Sequence, residues 1–340
     1  MKVGIVTTYD ELNFGAYLQA YSLSKFIESL GHNVELVNYK SLEYKMAELK
    51  ATYKIKNPIY LLKVFYKSIK FNRVLSLLNI SKNFNNIKEI NDYSYDLLIF
   101  GSDEIWNLNN ALGGIIDTYF FGDGLAGKKI SYAASFGSTD VYDGKISSIK
   151  NMLLDFSSIS VRDQNSKDIV SKISNMPVDI VLDPTFLIDH NVPKPNLDGK
   201  YIFYYYLGNN KNLEDEMIAF AKEKSLNIVS FGYKSKRFKN IISIDPFEWL
   251  SYLKYSDFVV TNMFHGTVFS ILFDKKFMVD ITTYRKNKLE FLINMFELRQ
   301  RIYNEDHFKN ITSDINYEYV HNSIQRHRVA SIKFLMEALK

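Results

Sequence analysis

The chain has 340 residues, a formal net charge of +4 and no cysteine. Disulfides, zinc–thiolate sites and cysteine nucleophiles are thereby excluded, and the mild charge, with no long basic block, speaks against nucleic acid as a partner. The length exceeds one ordinary core and suits two domains, which a 46% hydrophobic content can fill.

The N-terminal half alternates strand and helix. Met1 leads straight into KVGIVTTY, a strand, so no signal peptide is expected and the expected location is cytoplasmic. AYLQAYSLSKFIESLG follows, with Leu18, Tyr21, Leu23, Phe26, Ile27 and Leu30 at helical spacing and Gly31 as its stop. NVELVNY is a second strand, and this βαβ start requires a parallel sheet. Residues 57–80 predict a helical insertion. DLLIFGSD, KISYAASFG, SISVRD and VDIVLDPTFL each predict a buried strand ending in small or polar residues, where chemistry collects in open α/β sheets. Residues 189–200, DHNVPKPNLDGK, are rich in turn formers and predict a linker.

A second alternation follows. KYIFYYYLG, NIVSFG, DFVVTN and FMVDI predict strands; 211–224, 246–255, 266–274 and 286–297 predict helices; 317–340 predicts a final helical segment. The expected division is an N-terminal Rossmann-like domain over 1–190, a second over 199–316 and the helical tail. The fold class is α/β, two Rossmann-like domains facing a cleft, and ligands favour such a place. No run of about 18 apolar residues exists, so no transmembrane helix is expected.

His265 stands where DFVVTN gives way to GTVFSILF. At a strand end opening a helix, it sits beside backbone N–H groups that attract anions. Gly266 would let a ligand approach the backbone, and Thr267 adds a hydroxyl. The competing reading is a histidine that caps its helix or packs in an interface. GSDEIWN closes another strand. Asp103 and Glu104 could accept sugar hydroxyls while Trp106 stacks on the ring; otherwise the acid caps a helix and Trp106 is core. In NFGAYLQ, Asn13 can cap the first helix and Gly15 keep an anion-binding loop open, but a full nucleotide-binding fingerprint is missing. Arg162 closes a strand, and Arg285, Lys286 and Lys288 follow another. Each suits a carboxylate or phosphate or, more commonly for a single Arg, a salt bridge. The stretch 61–78 is basic and amphipathic. Lys63, Lys67 and Lys70 share one face and Leu61, Val64, Phe65, Ile69 and Leu75 the other. It could lie on an anionic membrane; the favoured reading packs the apolar face on the domain and leaves the lysines solvated.

Taken in order, NFGAYLQAYSL, GSDEIWN, YAASFG, SVRD, VLDPTFL, FHGTVFSILF and YRKNKLEFLINMFELRQR resemble the polysaccharide pyruvyl transferase family, nearly end to end. The resemblance implies a fold like that of B-type glycosyltransferases with the active site between the domains. It also implies phosphoenolpyruvate as co-substrate and a pyruvyl ketal bridging two sugar hydroxyls. The acceptor would be a sugar, often lipid-linked, in bacterial capsule, exopolysaccharide or cell-wall glycan assembly, with no obligatory metal or cofactor. On that resemblance His265 and Asp103 are the catalytic candidates. Arg162, Asn262, His265, Gly266, Thr267, Arg285 and Lys288 would bind the donor. Asn13, Phe14, Gly15, Ser102, Asp103, Trp106 and Asn107 would bind the acceptor. One position departs: many members carry an arginine where this chain has Met263, and Arg162, helped by Arg285 or Lys288, is expected to supply the charge. Two other functions use the same residues: a nucleotide-sugar glycosyltransferase of similar shape, and a non-catalytic glycan- or anion-binding protein.

Overall fold

The computed structural model describes residues 1–52, 57–110, 116–305 and 308–340. In chain order its elements are β1 (Lys2–Val6), α1 (Phe14–Ser29), β2 (Asn33–Leu36), α2 (Leu42–Thr52), α3 (Pro58–Leu75), α4 (Ile87–Tyr93), β3 (Leu97–Phe100), β4 (Lys129–Ala134), α5 (Lys150–Leu153), β5 (Ser158–Val161), α6 (Gln164–Ser174) and β6 (Val178–Ile180). There follow β7 (Tyr201–Tyr205), α7 (Lys211–Glu223), β8 (Asn227–Phe231), β9 (Lys239–Ile241), α8 (Pro246–Lys254), β10 (Phe258–Thr261), α9 (Phe264–Leu272), β11 (Lys276–Val279), α10 (Lys286–Met295) and α11 (Tyr317–Ala338).

The chain forms two compact units. The first comprises 1–57, 75–189 and 325–340; the second comprises 58–74 and 190–324. Each holds one parallel sheet, so the α/β class with two Rossmann-like sheets is what the protein has. In the first the strand order is β2-β1-β3-β4-β5-β6. Its central strands LLIF and KISYAA are buried at every position, as strands covered on both faces require. In the second the order is β11-β10-β7-β8-β9. Its central strand β7 shows the two-residue alternation of a sheet. Ile202, Tyr204 and Tyr206 enter one core with Leu213, Met217 and Phe220. Phe203, with Phe231 stacked at 4.3 Å and Trp249 at 5.7 Å, enters the other.

Two assignments change. The predicted insertion is helical from Pro58 to Leu75, but it belongs with the second unit rather than the first. Lys70 pairs with Glu248 at 2.7 Å, the Ser243 hydroxyl donates to the Lys63 carbonyl at 2.9 Å, and the Lys234 ammonium lies 5.9 Å from the Tyr60 ring. The final helix is likewise divided. It begins in the second unit and ends in the first, where Ser331 accepts the buried Leu182 N–H at 2.9 Å and Lys128 donates to the Ala338 carbonyl at 2.7 Å.

Candidate functional site

In the first unit, polar side chains gather at the carboxyl ends of β1, β3, β5 and β6. Thr7 follows β1 and donates to the Ser102 carbonyl at 2.9 Å. Gln19, wholly buried on α1, donates to Thr7 Oγ1 at 3.0 Å and accepts the Ser102 N–H at 3.2 Å. Ser102 follows β3, and its hydroxyl donates to Asp183 at 3.2 Å. Asp183, beyond β6, also accepts the Thr185 N–H and hydroxyl at 3.1 and 2.7 Å. Arg162 joins this set to Asp103, donating through Nη1 to Asp183 at 2.9 Å and through Nη2 to Asp103 at 3.0 Å.

The electrostatics of that fork follow from its burial. Arg162 and Asp183 are both sealed, whereas the Asp103 side chain keeps 18% of its surface exposed. Burial alone would lower the guanidinium pKa; the charges of Asp103 and Asp183 outweigh it, and the net direction is up. Asp103 is held at φ +73°, a left-handed conformation that costs a non-glycine residue about 1–2 kcal/mol. Its carbonyl is fixed by the Ser135 N–H at 3.0 Å. The result is a carboxylate aimed by backbone and guanidinium together, with its open side toward solvent.

Several expected acceptor residues are otherwise engaged. Trp106 shows no surface: Phe121 stacks on it at 5.9 Å, Phe136 and Phe156 close around it, and its N–H donates to the Phe120 carbonyl at 2.8 Å. It is core and cannot stack on a sugar. Asn107 is buried, donating to Glu104 at 2.8 Å and accepting the Asn109 N–H at 2.9 Å. Asn13 caps α1, taking the N–H groups of Gly15 and Ala16 at 3.0 and 3.4 Å, while Phe14 is buried. The anion site imagined around Gly15 is therefore filled by the chain's own cap. Arg162 is corrected as well: two carboxylates already balance its charge, so it orients Asp103 rather than offering a cation to a ligand. Sequence reasoning passed over Thr7, Gln19 and Asp183. Their only local signal is a Thr pair after β1 and an Asp before Pro184.

In the second unit the junction of β10 and α9 is built by Thr261 and Asn262. The Thr261 hydroxyl donates to the Tyr205 carbonyl at 2.7 Å and accepts the Met263 N–H at 3.0 Å. Asn262, wholly buried, clips the loop after β7 by bonding both the N–H and carbonyl of Leu207, at 3.0 and 2.9 Å. It is a strut, not an open donor. Thr267 turns its hydroxyl back onto the Met263 carbonyl at 3.2 Å. Gly266 leaves no gap for a ligand either, since a Cβ there would stand 2.4 Å from Thr261 Oγ1 and 3.1 Å from the Tyr205 ring. It is glycine so that helix and strand can touch.

What is left at the head of α9 is basic. Asn13, Asp163, Asn210 and Asp245 each cap a helix with a side chain, but Met263 has no acceptor to cap with. His265 is the second helical residue, its ring edge-on to Phe264 at 5.2 Å. The buried Lys288 ammonium lies 5.9 Å from the same Phe264 ring. Beyond β11, Asp280 accepts the Tyr206 hydroxyl at 2.5 Å and Asn210 at 3.0 Å. Burial, then that hydrogen bond, raises the Tyr206 pKa, while the charge of Arg285 opposes the rise. His265, Lys288 and Arg285 thus share one strand-end face of the second unit; Arg162 and Asp103 belong to the first. A lysine beside a helix N-terminus has the wrong sign for the helix dipole, and an anion there would reconcile the two. Among the described residues no group of three or more His, Asp or Glu is placed to hold a metal ion, and no helix is long and apolar enough to cross a membrane.

The family model described as "Polysaccharide pyruvyl transferase" matches residues 13–279. No curated protein matches the chain. Solved structures similar to it include the UDP-GlcNAc 2-epimerase of Neisseria meningitidis bound to UDP-GlcNAc, 10% identical over 100% of this chain and 99% of that one, TM-score 0.49. Others are MnaA of S. aureus with UDP, 13% identical over 96% and 89%, TM-score 0.48, and the E. coli heptosyltransferase WaaC with ADP-2-deoxy-2-fluoro heptose, 11% identical over 96% and 99%, TM-score 0.41.

Proposed function

The chain belongs to the polysaccharide pyruvyl transferase family, and on that premise we propose that it transfers the pyruvyl group of phosphoenolpyruvate onto two hydroxyls of one sugar, closing a cyclic ketal. The acceptor in this reading is a lipid-linked precursor of a bacterial capsule, exopolysaccharide or cell-wall glycan. The observation that carries it is the reach of the family match, which includes both the Asp103–Arg162 fork and the His265 helix head.

Phosphoenolpyruvate is highly anionic, so its pocket needs cations and directed N–H donors. The head of α9 offers the donors, and Lys288 and Arg285 offer charge from the same unit, taking over from the arginine that Met263 replaces. His265 delivers a proton to the methylene carbon; the electron pair of the double bond forms the new carbon–hydrogen bond, the methylene becomes a methyl group and the adjacent carbon becomes oxocarbenium-like. A sugar hydroxyl bonds to that carbon as Asp103 takes its proton. The carbon–oxygen bond to phosphate then breaks, the electron pair leaving with phosphate. The second hydroxyl bonds in its place and its proton passes to the departing phosphate. Arg162 positions Asp103 and touches no reactant.

The test is acceptor-dependent release of phosphate from phosphoenolpyruvate, with the acceptor gaining the mass of pyruvic acid less one water. In folded His265→Ala and His265→Gln the rate is expected to fall about 10²–10⁴-fold. Near-normal rates in both would remove His265 from the chemistry, and turnover from a nucleotide sugar instead of phosphoenolpyruvate would overturn the reaction.

A further inference from the structure

Helix α3 is packed with its apolar face outward. Its inner stripe is Tyr60, Val64, Lys67, Phe71 and Val74, spaced as one side of a helix, and the last three are the buried members. The opposite side carries Ile59, Leu61, Leu62, Phe65, Tyr66 and Ile69, all exposed; Ile59 keeps 69% of its surface, Leu62 55% and Phe65 58%. Scattered exposed apolar residues need no explanation, but a contiguous stripe along more than two turns does. Exposed cations lie on α3 and on the segment that meets it. Lys63 is exposed on the helix itself, and Lys234, which meets Tyr60, begins an exposed run with Lys236 and Lys239. Arg237 in the same run is already engaged by Glu214 and Asp215.

We propose that α3 docks the protein on an anionic lipid surface, with Leu62, Phe65 and Ile69 entering the acyl boundary and Lys63, Lys234, Lys236 and Lys239 meeting the headgroups. The chemistry is that of an interfacial helix: apolar area supplies the insertion and exposed cations supply attraction to negative lipid. A second copy of the chain is the poorer occupant, because pairing two α3 faces would bring these lysines against their own counterparts. Tyr66 at the edge of the stripe suits the headgroup level, where a ring with a polar tip is at home. This inference stands apart from the catalytic reading, since binding to lipid requires no turnover.

The experiment is co-sedimentation of the full chain with vesicles of phosphatidylcholine mixed with phosphatidylglycerol, against vesicles of phosphatidylcholine alone. Binding is expected only to the mixed vesicles and is expected to weaken with salt. Leu62→Glu with Phe65→Glu should abolish it. Lys234→Glu and Lys236→Glu should each lower the partition coefficient roughly fivefold or more, as expected for a cation near an anionic membrane. All four positions are exposed, so thermal unfolding should be unchanged, which separates lost docking from lost fold. The proposal is overturned if the mixed vesicles fail to bind, or if the Leu62→Glu/Phe65→Glu chain binds as well as the parent. It is also overturned if gel filtration shows a dimer that this double substitution dissolves.

Discussion

Gly266 shows how a single residue type can carry two meanings. A Cβ at this position meets Thr261 Oγ1 at 2.4 Å and Thr261 Cβ at 3.0 Å, and neither atom can yield, since that hydroxyl bonds both Tyr205 and Met263. Gly266→Ala is therefore expected to destabilise the protein by about 1–3 kcal/mol through overpacking, read as a lower urea midpoint. Paired with Thr261→Ala the two losses should fall short of their sum; strict additivity would place the strain elsewhere. The sequence marks a glycine at a strand–helix junction, but the letter is the same whether a ligand or a threonine fills the space. Trp106 is ambiguous in the same way: a carboxylate neighbour suggests a sugar platform, and only the positions of Phe121, Phe136 and Phe156 decide for core. Asp103 and Arg162 were legible as strand-end charges, but their mutual bond was not, because 59 residues separate them.

At the scale of elements, periodicity located most strands and helices, including α7, α8 and α10, while α2, α4, α5, α6 and β9 lie outside the predicted elements. For α6 the reason is visible: SISVRD predicts a strand that runs to Asp163, whereas Asp163 caps the helix by accepting the Ser166 N–H at 2.8 Å. For α3 the period was readable and the inward side was not. An amphipathic pattern predicts apolar residues inward, and here a lysine is inside instead. Burial lowers the Lys67 pKa from 10.5 to about 7. Below that point folded and unfolded chains both hold the proton, and the cost of burying the charge is felt in full. Between about 7 and 10.5 the unfolded chain remains protonated while the folded chain releases its proton. Stability should thus rise with pH across that window. Urea titrations of the parent and of Lys67→Met should show the rise only in the parent, with the variant more stable at neutral pH. An identical slope in both would remove Lys67 as its source.

For the whole molecule, two parallel sheets joined near residue 190 were legible from the alternation and the turn-rich linker. The itinerary of the chain was not, because docking of a distant helix leaves no local signature. The backbone passes from one unit to the other at 57/58, 74/75, 189/190 and 324/325. Ending the chain after Ile324 would remove the acceptor of the buried Leu182 N–H and the Arg328 bond to the Leu187 carbonyl. The orphaned amide alone is worth about 1–3 kcal/mol. Hydrogen exchange should quicken at Val181 and Leu182 in the truncated chain, while β7, β8 and β10 keep their protection; uniform loss would contradict the assignment of that helix end to the first unit. The same itinerary bears on recombination. A chimera that borrows its second half from a relative must exchange two separate stretches of gene, 58–74 and 190–324, and a single crossover at the linker would leave each half with a helix evolved for someone else's surface.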